Sequence, residues 1–212
     1  MKTTHILRIL IIQIVISIIF YACKKDEETI LEDKDLLTDS RDDKTYKIIK
    51  IGDQTWMAEN LNYDAGSDCW IYENDPTNET RYGKLYNWYS ACEVCPDGWH
   101  LPSDEEWKEL EMYLGMTQEE ADNTGCRGTY EGWDLYGGGT NSGGFSVKYG
   151  GYSNYDWIPH YEEIGEAAYF WTSSKASGID KGWYRKLHRL DGCISRGGIN
   201  MGDGLSVRCI KN

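Results

Sequence analysis

The chain has 212 residues and a formal charge of −13. Such an acidic chain is repelled by phosphate backbones, so nucleic acid is not an expected partner. Nine Trp and sixteen Tyr stand against three Phe, alongside 23 Gly. This composition indicates a loop-rich domain whose interior uses aromatic rings that carry polar groups.

Residues 1–22 have the pattern of a bacterial lipoprotein signal peptide. Lys2 and Arg8 give a positive start, residues 6–20 are mostly apolar, and a small residue precedes Cys23. This predicts cleavage before Cys23 and attachment of acyl chains such as palmitate, which would anchor the protein to a membrane. The alternatives are an ordinary signal peptide or a membrane helix. The apolar run is short and interrupted, whereas about 20 apolar residues span a bilayer.

Residues 23–45 are predicted to be a lipidated cysteine followed by a flexible acidic tether. From residue 24 to 45 there are nine acids, five bases and only scattered apolar positions, too few for a packed core. The run Lys-Lys-Asp-Glu-Glu directly after Cys23 resembles the surface-export signal of Bacteroidetes lipoproteins. The resemblance implies an outer-membrane location with the domain displayed at the cell surface.

Residues 46–212 are predicted to form one α+β domain. Alternating apolar residues on either side of a Gly-Asp turn predict an opening β-hairpin over 46–57. Residues 83–89 are aromatic-rich and fit a strand or a short helix. Further strands are predicted over 169–173, 183–187 and 205–210.

The stretch Cys95–Trp107 holds the clearest local signals. Its Pro-Asp-Gly sequence predicts a turn, and a short alternating segment follows. Ser103 and Glu106 then form a capping box that starts a helix over 104–114. A second capping box at residue 117 predicts a short helix next.

After Cys23, six cysteines remain, and an even number in an exported chain indicates structural disulfides. They are Cys69, Cys92, Cys95, Cys126, Cys193 and Cys209. The preferred single pair is Cys95 with Cys209, which ties the segment before the helix to the last strand; the other four allow three pairings. Cys92 and Cys95 also form a CxxC, but there is no second CxxC for zinc and no βαβ setting for thioredoxin-like chemistry.

Aromatic rings concentrated in the glycine-rich region are the candidate ligand-binding residues. They are Trp133, Tyr136, Tyr149, Tyr152, Tyr155, Trp157 and Tyr161. Rings among Asn, Asp and Gly suit sugar stacking or protein recognition because they offer a large contact area at low entropic cost. The alternative is that they fill a core beneath the loops.

No catalytic residue, cofactor or metal site is expected, and the chain is not expected to be an enzyme. His100, His160 and His188 lack acid and nucleophile partners at motif spacing. Oxygen ligands for a structural calcium are available in the same loops, although loop acids usually face water. These are Asp134, Asn141, Asn154 and Asp156.

Five blocks of sequence, in order, carry a resemblance to a known family. They are Gly52–Tyr63, Tyr82–Trp88, Cys95–Trp107, Tyr169–Ser174 and Ser206–Lys211. Together they resemble the Fibrobacter succinogenes major paralogous domain, found in surface lipoproteins of Fibrobacteres and Bacteroidetes. The resemblance covers nearly all of residues 46–212.

This resemblance implies a C-type-lectin-like fold, shared with formylglycine-generating sulfatase modifiers, in which the N- and C-terminal strands pair. The calcium-dependent sugar triplets of C-type lectins, Glu-Pro-Asn, Gln-Pro-Asp and Trp-Asn-Asp, do not occur. The expected function is therefore non-catalytic binding of a glycan or protein by a surface lipoprotein. The alternatives are a structural cell-envelope protein without a small ligand, or an enzyme of the formylglycine-generating fold family.

Overall fold

The computed structural model describes residues 35–128, 144–156, 158–190 and 193–212. The strands are β1 Leu36–Thr38, β2 Thr45–Ile51, β3 Gln54–Met57, β4 Cys69–Trp70, β5 Leu85–Tyr86, β6 Trp99–His100, β7 Gly125–Arg127, β8 Gly150–Asp156, β9 Ile158–Ile164, β10 Ala167–Lys175, β11 Lys181–His188, β12 Ile194–Asn200 and β13 Ile210–Lys211. The α-helices are α1 Pro76–Tyr82, α2 Trp88–Ala91, α3 Asp104–Tyr113 and α4 Gln118–Asp122. This mostly β content with few helices is consistent with the α+β class.

The strands form three sheets. A five-stranded sheet has the order β1-β2-β3-β13-β6, a six-stranded sheet has the order β7-β12-β11-β10-β8-β9, and β4 pairs with β5. Because β13 lies between β3 and β6, the opening hairpin hydrogen-bonds to the last strand. Within these described ranges, no helix is long and apolar enough to cross a membrane.

The domain begins earlier than the sequence predicts. Strand β1 pairs with β2, which places Leu37 opposite Tyr46. Asp39 is fully buried, and its carboxylate accepts hydrogen bonds of 2.8 and 2.6 Å from the Arg41 guanidinium. The prediction of a flexible tether therefore does not hold for residues 36–45, because β1 pairs with β2 and Asp39 and Arg41 form an ion pair in the turn between them.

The C-terminal segment 203–210 is buried along its whole length and touches separate parts of the fold. Leu205 exchanges backbone hydrogen bonds of 2.9 and 3.0 Å with Tyr86, whereas the carbonyl of Val207 accepts from the amide of Leu61 at 2.9 Å. Successive residues thus bond to different partners and form no continuous ladder. This is why the strand predicted here is limited to the two residues of β13.

Helix α3 packs on the six-stranded sheet through aromatic residues. Trp107 lies edge-on to Trp56 with ring centroids 5.0 Å apart, and its ring is 5.8 Å from those of Phe145 and Phe170. Ser103 and Glu106 form the predicted capping box at the start of this helix. The helix therefore connects the hairpin to strand β10 through one aromatic core.

A buried network of charges lies between α3 and strands β11 and β12. Asp104 accepts from Arg185 Nη1 at 2.8 Å and from Arg196 Nε at 2.9 Å. Glu111 accepts from Arg127 at 2.7 and 2.8 Å and also from Arg185. Every member is buried, so each charge depends on the others for compensation.

The network also fixes the ionisation of Asp104. Burial alone would raise its pKa, but the hydrogen bonds from Arg196 and Arg185, with the charges of both, outweigh burial and hold the pKa at about 2. The carboxylate is therefore charged throughout the physiological range.

Candidate functional site

The structure contains two disulfides. Cys95 is joined to Cys209, the preferred pair, with Cα atoms 5.9 Å apart, and Cys126 is joined to Cys193 at 5.5 Å. Cys69 and Cys92 are free thiols. The expectation that all six cysteines pair is thus corrected, because only four of them form bridges.

Neither free thiol is activated. Burial raises the pKa of Cys69, and it raises the pKa of Cys92 to about 11 with a further contribution from Glu93. A reactive cysteine needs a lowered pKa, so that the thiolate is present near neutral pH. Both side chains are therefore protonated thiols at pH 7.

His100 connects the C-terminus to the start of α3. Its Nε2 is 2.8 Å from Glu106 Oε1, and its Nδ1 is 2.6 Å from Asn212 Oδ1. Glu106 is also the residue that closes the capping box with Ser103. The arrangement fastens the end of the chain and brings no nucleophile to the imidazole.

Of the predicted ligand-binding rings, three lie in the described part of the chain. Trp133, Tyr136 and Trp157 lie outside it, as does the side chain of Tyr155. Tyr149, Tyr152 and Tyr161 are half-buried, and each packs against a different part of the domain. The Tyr161 ring, for example, lies 4.9 Å from that of Tyr72.

Tyr152 belongs to a row of stacked rings across the six-stranded sheet. Its ring centroid is 4.6 Å from that of Tyr169, which in turn is 5.8 Å from that of Tyr184. The hydroxyls of Tyr152 and Tyr169 donate to Glu162 and Glu163 at 3.0 and 2.9 Å. Two of the three hydroxyls are thus already hydrogen-bonded within the protein, which is typical of packing rather than of an open recognition surface.

A more open arrangement of rings occurs between the β1–β2 turn and helix α2. We call it the tyrosine groove, a concavity of about 300 Å³ lined by Arg41, Tyr63, Ala65, Asp68, Tyr89, Ser90, Glu93 and Val94. The Tyr89 ring is 55% exposed, and the residue lies on α2 edge-on to buried Trp88. This volume is at the low end of small-molecule sites.

The cation of the tyrosine groove is held rigidly. The Arg41 guanidinium lies 3.8 Å from the centroid of the Tyr63 ring and donates to the Val94 carbonyl at 2.8 Å. Hydrogen bonding to Arg41 lowers the pKa of Asp39, so this ion pair persists at neutral pH. The stacked Arg41 and Tyr63 therefore form a preorganised wall.

Local capping positions the other wall of the groove. Asn87 is the N-cap of α2, and its side chain accepts the Ser90 amide at 2.8 Å and donates to Asp68 at 3.1 Å. Tyr89 and Ser90 are thereby held beside the Asp68 carboxylate. These residues were not predicted from the sequence. The available signal was that Asn87 lies inside the block Tyr82–Trp88 and that Tyr89 and Ser90 directly follow it.

A second concavity of about 310 Å³, which we call the basic pocket, lies where the same two blocks meet. It is lined by Lys44, Thr45, Tyr46, Glu59, Asn60, Asn62, Glu79, Thr80, Arg81, Tyr82, Gly83 and Lys148. Gly83 has a φ of 75°, and a Cβ there would lie 2.7 Å from the Leu61 carbonyl oxygen. Only glycine allows the two backbones to approach this closely.

A buried cation lies beneath the floor of the basic pocket. Arg208 donates to Asn60 Oδ1 at 3.0 Å, to the Ser146 carbonyl at 2.7 Å and to the Phe145 carbonyl. Burial lowers its pKa to about 9, opposed by the charge of Glu59, so the guanidinium stays protonated at pH 7. It has no carboxylate partner among the described residues.

No cluster of three or more His, Cys, Asp or Glu residues suited to a metal ion occurs in the described ranges. Of the possible calcium ligands, Asn154 lies half-buried on β8. Asp134 and Asn141 fall outside the described residues, as does the side chain of Asp156.

Comparison with known proteins identifies one family. The model of the Fibrobacter succinogenes major domain matches residues 49–211. No curated protein and no solved structure matches the chain significantly. Because the family match spans most of the sequence, including all four bridged cysteines, this chain belongs to the Fibrobacter succinogenes major domain family.

Proposed function

We propose that this protein is a lipoprotein anchored to the outer membrane through Cys23, displayed at the cell surface, whose domain binds a ligand without catalysis. The ligand is a glycan or a protein, and a glycan fits the described surface better. The single observation that carries the choice is the tyrosine groove, in which ring faces, a fixed cation and carboxylates line one concavity.

The chemistry of the groove matches a hydroxyl-rich ligand. The exposed Tyr89 ring offers an apolar face for the C–H face of a sugar, while Asp68 and Glu93 accept hydrogen bonds from hydroxyl groups. Arg41 is already ordered by Asp39, so its ordering costs nothing on binding. Ala65 and Val94 supply the apolar floor that such sites usually have.

We further propose the C-type-lectin-like fold for this domain. The pairing of β13 with β3, which brings the two ends of the domain together, supports it. The raised pKa values of Cys69 and Cys92 favour binding over chemistry of the formylglycine-generating kind, which needs reactive thiols.

A glycan array probed with the full chain tests the proposal. We expect binding to at least one glycan, with affinity reduced at least about tenfold in Tyr89→Ala, because the most exposed ring of the groove is lost. Tyr113→Ala is the matched control: its ring is 67% exposed on α3, outside the groove, and its removal leaves binding unchanged. No binding to any glycan, or equal binding by wild type and Tyr89→Ala, would contradict the glycan assignment.

A second variant tests the predicted ligand-binding rings that lie outside the described residues. The double variant Trp133→Ala/Trp157→Ala is measured on the same array and in thermal unfolding. If the tyrosine groove is the site, the double variant binds the glycan with nearly wild-type affinity, whereas Tyr89→Ala does not. Loss of binding in the double variant alone would move the site to the glycine-rich loops.

A further inference from the structure

We propose that the basic pocket is a second binding site, specific for a small hydroxylated carboxylate such as a sugar acid. The pocket lies between β2, the segment after β3 and the end of α1, and its volume of about 310 Å³ suits a ligand of one sugar unit. The inference does not depend on the tyrosine groove.

The rim of the pocket carries two cations that form no ion pair with the described residues. Arg81 and Lys148 are both exposed, and neither forms an ion pair in the described part of the chain. Arg81 has one further contact, with its guanidinium 5.2 Å from the Tyr82 ring centroid. Two free cations at the mouth of a cavity attract an anion, even though the protein as a whole is strongly negative.

Of the two acids that line the pocket, one is paired with a cation. Glu79 lies 3.7 Å from Lys84 Nζ, whereas Glu59 accepts the neutral backbone amide of Lys47 at 2.8 Å and has no ion-pair partner among the described residues. Lys44 also lines the cavity, and its Nζ lies 3.3 Å from Asp42. Arg81 and Lys148 therefore outnumber Glu59, the one unpaired carboxylate of the lining, and the pocket keeps a net positive charge. The lone pairs of Glu59 and Glu79 can accept hydrogen bonds from ligand hydroxyls.

Arg208 makes the floor of the pocket positive as well. Buried charges are normally paired with an opposite charge. Among the described residues, Arg208 hydrogen-bonds to the neutral oxygens of Asn60, Phe145 and Ser146. The charge of Glu59 acts on it without forming an ion pair. Its charge acts through a low-dielectric interior, where fields are weakly screened. Asn60 is the lining residue that it contacts directly.

The same arginine positions one of the rim cations. By holding the carbonyls of Phe145 and Ser146, it fixes the backbone two residues before Lys148. An anion on the rim would thus lie between Arg81 and Lys148 above and the buried Arg208 guanidinium below, which hydrogen-bonds to no carboxylate among the described residues. Hydroxyl groups next to the anion would meet Glu59, which lines the wall.

Calorimetric titration of the full chain with D-glucuronate tests this inference, with D-glucose as the neutral control. We expect glucuronate to bind at least about tenfold more tightly than glucose, and binding to weaken as NaCl is raised. Arg81→Gln and Lys148→Ala each lower glucuronate affinity about tenfold, because each removes a charge-assisted contact. Lys211→Ala, which removes an exposed lysine elsewhere, leaves the affinity unchanged.

Equal affinities for glucose and glucuronate, no glucuronate binding, or full affinity in both rim variants would overturn the inference. Tighter binding of glucose 6-phosphate than of glucuronate would overturn the carboxylate assignment in favour of phosphate. Because the two sites are separate, Tyr89→Ala is expected to bind glucuronate with wild-type affinity. The glycan array and the glucuronate titration therefore test the two proposals independently.

Discussion

Asp104 has two roles that the sequence pattern does not separate. It stands in the first turn of α3, where a negative charge favours the helix dipole, and this was the only role that the sequence predicted. In the structure its carboxylate is 6% exposed and bonded to Arg185 and Arg196. The residue therefore joins the helix to β11 and β12.

Replacement of Asp104 by Asn is predicted to destabilise the protein by about 3–5 kcal/mol at pH 7, because the buried Arg196 loses its carboxylate partner and Arg185 keeps only Glu111. The pH dependence has a defined sign. The folded pKa of about 2 is below the ordinary value of 3.8, so the stabilisation is fully present above about pH 4 and is lost as pH falls towards 2. Urea unfolding between pH 7 and 2 measures both effects.

Glu105→Gln is the control for this prediction. Glu105 is the neighbouring acid, bonded to Lys108 but 72% exposed, so its replacement changes stability by less than about 1 kcal/mol. The network account would be wrong if Asp104→Asn were as mild as Glu105→Gln, or if the loss of stability below pH 4 were equally steep in wild type and Asp104→Asn.

At the level of elements, the contact between the β3–β4 segment and the end of α1 depends on Gly83. An alanine there would have a positive φ and a Cβ 2.7 Å from a backbone oxygen. Gly83→Ala is predicted to cost about 3–5 kcal/mol, at the upper end of single substitutions. Thermal unfolding measures the cost, and the basic pocket should be disrupted with it.

Gly98 provides a matched comparison, because its φ of 81° is also positive but a Cβ would meet nothing within 4 Å. Gly98→Ala therefore loses only the backbone preference, about 1 kcal/mol. If the two alanine variants were equally stable, the close approach at Gly83 would have no energetic importance.

Elements specified by local signals were predictable from the sequence. Ser103 with Glu106, and Thr117 with Glu120, form the two predicted capping boxes, and residues 83–89 contain both a strand and the start of a helix. The long strand expected over 205–210 is absent, because its partners come from distant segments that alternation alone cannot reveal. The alternating pattern around residue 185 also does not show that the Arg185 side chain is buried and forms ion pairs.

For the whole molecule, the candidate sites were the least predictable part. The tyrosine groove combines Arg41 from the predicted tether with Tyr63 and Tyr89, and the basic pocket combines Lys44, Arg81 and Lys148. These positions are far apart in sequence and have no shared motif. The aromatic rings of the glycine-rich region were predicted to bind a ligand because they lie close together in sequence. Those within the described residues, Tyr149, Tyr152 and Tyr161, are half-buried.

The anchor is a prediction about the whole molecule that rests on the sequence alone. Cys23→Ser is expected to move the protein from the membrane fraction to the soluble fraction, because acylation requires the thiol. Immunoblotting of fractionated cells measures this, with Cys92→Ser as the control that should stay in the membrane. Continued membrane retention of Cys23→Ser would exclude the lipid anchor.

Mapping where a glycan binds tests most directly whether the tyrosine groove is the binding site. Nitrogen-15 NMR spectra of the full chain are recorded during titration with the strongest glycan from the array. If the glycan binds in the tyrosine groove, the largest shifts occur at the amides of Tyr63, Ala65, Asp68 and Ser90, and Tyr89→Ala abolishes them. Saturable shifts confined to other parts of the chain, or no shift at any glycan concentration, would contradict binding in the tyrosine groove.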